Sequence, residues 1–325
     1  MTPLRETMSV PRYAARRALS AAPMLLAVAA VSFLLMHLAP GDPVYLLAGE
    51  GGTPEHYAQV RRQLGLDRPL FEQLLRHLWQ VAQGDLGRSI HQRQPVLGLI
   101  VERLPATLLL VGSALGLASV GGALLGVWAA SRPRSLLDRA LLAFTALGAA
   151  VPVFWSGLLL VVCFSLWLGW FPAQGMASPR TQAAGWVDVL HHLMLPALAL
   201  GLQPLASLSR LMRLKVLEAL SEPYVLTARA KGLPRARVLG HAVRNALLPV
   251  ITVIGGSASM LITGAVLTET VFAWPGLGRL ALDATLTRDY PLIMGTIMVA
   301  AAGTVVLNLL TDVAYAVVDP RITYG

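Results

Sequence analysis

Apolar residues in this chain gather into long runs instead of the alternating or narrow-stripe patterns of a water-soluble core. Runs near 18–38, 105–129, 140–168, 190–210, 246–271 and 291–318 hold few charges. A bilayer core asks for about 20 apolar residues per helix, so the pattern predicts six transmembrane helices and an all-α membrane protein. The third run is long enough to tilt or to begin at the interface. The fourth carries Pro196, Gln203 and Pro204 and is the weakest, although neighbouring helices can satisfy backbone groups that proline frees. Between the first two runs, residues 53–66 (Val60, Leu64) and 69–83 (Leu70, Leu74, Leu78, Val81) show helical apolar spacing, and Gly84-Asp85 and Gly87 read as turns. The intervening segment is thus predicted to be a small ordered unit.

Composition supports this reading. Of 325 residues, 55% are hydrophobic and 13% charged, against roughly a quarter charged in soluble domains. A net charge of +9 would suggest nucleic acid in a soluble protein, but here the basic residues flank apolar runs, so they set topology and no nucleic acid is expected. Arg5, Arg12, Arg16 and Arg17 precede the first run. Arg132, Arg134 and Arg139 follow the second, and Arg210, Arg213, Lys215, Arg229, Lys231, Arg235, Arg237 and Arg244 lie between the fourth and fifth. The short loops on the other side hold only Arg180, Arg279 and Arg288. Both termini are therefore expected in the cytoplasm, with 39–104 outside. The first run exceeds a signal-peptide core of about 7–15 residues and leads into Ala39-Pro40-Gly41-Asp42-Pro43 with no small-residue cleavage site, so an uncleaved span is expected. Cys163 is the single cysteine, which excludes an internal disulfide, and no histidine pattern suggests a metal. No cofactor is expected.

The informative polar stretch is Ser221-Glu222-Pro223-Tyr224-Val225-Leu226-Thr227-Ala228-Arg229-Ala230-Lys231-Gly232-Leu233-Pro234-Arg235. Proline suits a first helical turn, Ala228 to Lys231 are strong helix formers, and Gly232 fits the left-handed residue that ends a helix. Pro234 then starts a second helix running to about Leu248. The loop resembles the coupling loop of ABC importer permeases. Ala228 and Gly232 match that motif, whereas its glutamate is missing, with Leu226 and Thr227 at the first two positions. Ala228 to Gly232 followed by Arg244-Asn245-Ala246-Leu247-Leu248-Pro249 resembles the dipeptide, oligopeptide and nickel branch. So do Gly41-Asp42-Pro43, Leu64-Gly65-Leu66-Asp67, Glu269-Thr270-Val271-Phe272-Ala273-Trp274-Pro275-Gly276-Leu277-Gly278 and Asp319-Pro320-Arg321-Ile322.

The resemblance implies a type I importer permease in a bacterial inner membrane. Its parts would be an N-terminal region with the first span and outer loop (1–104), a permease core (105–318) with a coupling loop at 211–245, and a short tail (319–325). It also implies partners: a second, similar permease, one or two ATP-binding subunits, an external solute-binding protein, and lipid. Tyr224, Ala228, Arg229, Ala230, Lys231 and Gly232 are the candidate coupling residues. The chain has no phosphate-binding loop, since neither Lys215 nor Lys231 follows a glycine, so energy must enter through a partner. Glu269, near the outer end of the fifth run, is a candidate for gating, since an acid within a span is functional by default; the competing reading is a merely solvated group near the interface. Asn308 and Asp312 are expected in helix–helix contacts, and Trp155, Trp167, Trp170 and Trp274 in interfacial belts. Gly112, Gly116, Gly121, Gly122 and Gly126 are expected to allow close helix packing. Within the branch the solute is a peptide, nickel or glutathione. The competing class is a stand-alone secondary transporter, which usually carries ionisable groups deep in the membrane.

Overall fold

The computed structural model describes residues 10–38, 44, 53–63, 65–178 and 185–318. Arg5, Gly41-Asp42-Pro43, Leu64, Arg180 and Asp319-Pro320-Arg321-Ile322 lie outside the described residues. Helices run in the order α1 (Val10–Leu38), α2 (Pro54–Gln63), α3 (Leu70–Ala82), α4 (Val96–Ser131), α5 (Leu136–Ala150), α6 (Val153–Leu160, continued as π-helix Val161–Trp167), α7 (Trp186–Leu220), α8 (Pro223–Ala230), α9 (Arg235–Val271), α10 (Leu277–Leu286) and α11 (Tyr290–Val318). Among the described residues, five helices are long and apolar enough to cross a membrane: α1, α4, α7, α9 and α11.

The third expected span, 140–168, is not one straight helix. The α5 and α6 segments are bent by 112° at a short break. Val151 takes an extended conformation ahead of Pro152, as the proline ring disfavours helical geometry in the residue before it. The Pro152 carbonyl then accepts from Trp155 N and Ser156 N, which starts α6 afresh. The fourth run, the least apolar of the five straight spans, is a span as expected. Its two prolines sit inside an unbroken helix, α7, whose apolar window is the most buried of the five.

That burial comes from α4. Ala114, Ala118, Gly122, Gly126 and Ala130, spaced four apart, are all buried. A Cβ on Gly126 would lie 2.6 Å from Ser209 O and 2.9 Å from Arg213 N, both backbone atoms of α7. Small residues at this spacing let two helix backbones touch. Gly112 and Gly116 do not share in this: a Cβ on either would meet nothing within 4 Å. At the arginine-rich end, the buried Asp138 accepts from Arg213 Nη2 at 2.8 Å and from Arg134 N at 2.9 Å. This pair ties the α4–α5 turn to α7. The expected contact of Asn308 is present: its Oδ1 accepts from Ser259 Oγ at 2.7 Å, joining α9 to α11.

In the 53–95 unit, α2 and α3 match the expected helices, and Gly84 and Gly87 have positive φ in the expected turns. The α3 helix rests on α1 through rings: Phe33 lies 4.2 Å from His37 and 5.5 Å from His77. Burial pushes the His77 imidazole below the usual histidine range, and His37 adds a smaller push the same way. A depressed histidine means the released helix binds more protons than the docked one. The contribution is complete above about pH 6.5 and is lost as pH falls. Amide exchange over 70–82, corrected for intrinsic rate, should therefore quicken on acidification from about pH 7.5 to about 5.5. His77→Phe should remove the dependence. An unchanged pH profile in that variant would assign the effect to another group.

Candidate functional site

The loop between α7 and α9 forms the corner that its residues predict. Pro223 opens α8, a two-turn helix that has only Val225 buried. Gly232 has φ of 75°. Its N–H bonds Arg229 O at 2.9 Å and Leu233 N bonds Ala228 O at 3.2 Å. These two bonds are the Schellman arrangement, in which a left-handed residue satisfies the last carbonyls of a helix. The corner therefore presents a short, almost bare helix: Tyr224, Arg229, Ala230 and Lys231 are exposed and Ala228 half-buried. Arg229 and Lys231 have no ion-pair or hydrogen-bonded side-chain partner among the described residues. Such a projecting helix can transmit a push only if its base is stiff. Here the base is α9, which does not stop near Leu248 as expected but continues to Val271.

Glu269 is separate from this corner. It sits 34 residues beyond Arg235 on the same helix, about 50 Å away at 1.5 Å per residue. Of the two readings, the solvated group near the interface is the one the structure contradicts, because Glu269 is fully buried. Its Oε1 accepts from Thr107 Oγ1 of α4 at 2.6 Å and its Oε2 accepts from Arg279 N at 3.0 Å. Thr107 Oγ1 in turn accepts from Leu277 N at 2.8 Å. The two side chains together cap the first turn of α10, whose own N-cap, Gly276, has no side chain to do so. A Cβ on Gly276 would fall 2.2 Å from Glu269 Oε1, and one on Gly278 would fall 2.5 Å from Val266 Cα. Ala273 turns the chain here with φ of 47°, and its carbonyl accepts from Arg279 Nη1 at 2.7 Å.

Trp274 closes the knot. Unlike the exposed Trp155, Trp167 and Trp170, it is completely buried and donates through Nε1 to Ala106 O at 2.8 Å. Its expected interfacial role is corrected accordingly. The sequence reading missed Thr107, Gly276 and Trp274 as partners of Glu269. The local signal was the glycine pair at 276 and 278 directly after an aromatic and a proline, which marks close backbone approach.

Among the described residues no cluster of three or more potential metal ligands occurs. The two helical features lie at opposite ends of one long rod, with a bundle of apolar helices between. Residues 122–324 match the family described as the binding-protein-dependent transport system inner membrane component, and residues 10–111 match its N-terminal membrane component. The chain belongs to this family, the inner-membrane permease subunits of ABC importers, whose members work with a solute-binding protein and ATP-hydrolysing partners. It is similar to the dipeptide transport system permease protein DppB of Escherichia coli, 40% identical over 324 residues covering 93% of this chain and 96% of the relative. A putative peptide transport system permease protein of Brucella abortus is 43% identical over 310 residues, 95% of this chain and 98% of the relative. The di/tripeptide transport system permease protein DppB of Pseudomonas aeruginosa is 40% identical over 331 residues, 96% and 98% of the two chains.

Proposed function

We propose that this chain forms half of the translocation pathway of an ATP-driven importer for di- or oligopeptides. The observation that carries the peptide reading is similarity along nearly the whole chain to permeases named for dipeptides and tripeptides. The other half is a second, similar permease, and one or two kinds of ATP-binding subunit dock from the cytoplasm. In this reading the arginine-rich end, with residues 211–245, faces the cytoplasm, as the basic loops favour. The 39–104 region and the Glu269 knot face the external binding protein.

Tyr224, Ala228, Arg229, Ala230, Lys231 and Gly232 form the coupling helix and its hinge. Small residues let it seat closely in a groove of the ATPase, and its two free cations suit acidic groups there. Because α9 is continuous from the corner to Glu269, movement of the coupling helix reaches the outer end of the pathway through one rod. Glu269 contributes to gating by fixing α10 against α4 and α9. ATP hydrolysis belongs to the partner subunits.

The test is uptake of a radiolabelled dipeptide into proteoliposomes. Uptake should require the second permease, the ATPase, ATP and the binding protein together. Uptake by this chain alone under an ion gradient would establish the secondary-transporter reading instead. A binding protein that retains nickel or glutathione and no peptide would redirect the solute within the family.

A further inference from the structure

The α3 helix has apolar and polar sides along its whole length, yet none of its residues is buried. One side packs on α1, where His37 Nε2 donates to Gln73 Oε1 at 3.2 Å and the His77 ring stacks 5.5 Å from Phe33. A second side carries Phe71, Leu75 and Trp79, each about a turn from the next, and these are 70%, 50% and 66% exposed. A third side is polar, with Glu72, Arg76 and Gln80 in the open. A contiguous exposed row of large apolar side chains marks a contact surface. Two contacts show at what depth that row sits. Phe33 lies five residues before Leu38, the end of its apolar span. Leu86, just past α3, approaches Gly295, where a Cβ would stand 3.6 Å from Leu86 Cδ1. Gly295 lies five residues after Tyr290, the start of the last apolar span. At 1.5 Å per residue, both contacts fall about 7 to 8 Å inside the apolar runs. An amphipathic helix in a membrane interface buries its apolar face to about 5–10 Å. Over the same turns α1 leaves Leu34, Leu35 and Leu38 exposed. They belong to a span, so the row on α3 continues a surface that faces lipid.

We propose that α3 is an interfacial helix, with Phe71, Leu75 and Trp79 among the acyl chains of the leaflet in which α1 ends. Tryptophan suits that boundary, because its ring is apolar and its N–H can reach the headgroups. Glu72, Arg76 and Gln80 then face water. The preceding helix, α2, has no such row: Glu55, Gln59, Arg61 and Arg62 crowd its ten residues. The 53–95 unit is thus moored to the bilayer by its second helix and offers its first to partners in the aqueous phase. The placement follows from the spans alone. It depends neither on transport nor on which side of the membrane the unit occupies.

The experiment is spin-label accessibility on the assembled transporter in nanodiscs of phosphatidylethanolamine and phosphatidylglycerol. On a Cys163→Ala background, Leu75→Cys, Trp79→Cys, Arg76→Cys and Gln80→Cys each receive a nitroxide. All four positions are exposed, so the labels fit without disturbing the packing on α1. Leu35→Cys on the exposed side of α1 is the lipid reference, and Gln59→Cys on α2 is the water reference. Collision with oxygen, which concentrates in lipid, is compared with collision with a neutral water-soluble relaxation agent. The oxygen-to-agent ratio at 75 and 79 should match that at 35 and exceed the ratio at 76 and 80 several-fold. Ratios at 75 and 79 equal to that at 59 would overturn the proposal. Low collision with both agents at 75 and 79 would also overturn it, by placing the row under another protein subunit. The readout needs neither ATP nor solute, so its failure is distinguishable from failure of the importer reading.

Discussion

Gly232→Val is expected to insert at a near-normal level and to lose about nine-tenths of transport, the one decade that about 1.4 kcal/mol of misdirected coupling gives. Gly232 has φ of 75° and open space where a Cβ would stand, so the substitution causes no clash with the bundle. What changes is the backbone itself. An L-residue in the left-handed region costs roughly 1–2 kcal/mol, with β-branched residues at the unfavourable extreme. The corner can relieve that strain by rotating α8, because only Val225 anchors it. A rotated α8 no longer meets the ATPase in register. Stimulation of ATP hydrolysis by loaded binding protein should therefore vanish along with uptake. Gly232→Asn, which tolerates positive φ, should recover much of both. Equal loss in the valine and asparagine variants would separate the defect from backbone conformation.

Glu269→Ala and Gly276→Ala should each strongly reduce the amount of folded protein, and their effects should not add. Removing the carboxyl group leaves Arg279 N and Thr107 Oγ1 without an acceptor, at about 1–3 kcal/mol for each buried donor, or roughly 2–6 kcal/mol together. The Gly276 substitution reaches the same end by another route. Its methyl group would occupy the space of Oε1, at 2.2 Å, and expel the carboxyl group from its cap. Once Glu269 is alanine that conflict is gone, so adding Gly276→Ala should cost much less than it does alone. Thermal unfolding of the detergent-solubilised single and double variants gives the coupling energy. Additive losses would mean that the glycine is needed for something other than room for Glu269.

These two sites differ in how much of them the sequence exposed. The Gly232 corner is local: proline at a first turn, helix formers, then glycine at C′ are all decided within a dozen residues, and the observed φ and capping bonds follow. The knot around Glu269 is not local, since its partner Thr107 is 162 residues away. A glutamate near a span end looks solvated until α4 and α10 are placed around it. The spans show the same division. Apolar runs marked where helices cross, but proline alone did not mark where they break. Pro196 and Pro204 are held in helix by the close packing of α7 on α4. Pro152 follows Val151, and there the chain turns by 112°. The stripe of Ala114, Ala118, Gly122, Gly126 and Ala130 was partly legible as small residues, yet only the fold separates Gly122 and Gly126, which leave no room for a Cβ against α7, from Gly112 and Gly116, where a Cβ would meet open space.

The most direct measurement is a cross-link at the coupling helix. With Cys163→Ala as background, Ala230→Cys places a thiol on the exposed end of α8, and Thr285→Cys places one on α10 at the other end of the bundle. A short bifunctional maleimide is added to the assembled transporter in membranes, and the partner captured at each position is identified. The account predicts that the cysteine at 230 captures an ATP-binding subunit, with a yield that changes when ATP is bound, and that the cysteine at 285 captures none. Capture of the ATP-binding subunit from position 285 and not from 230 would contradict it.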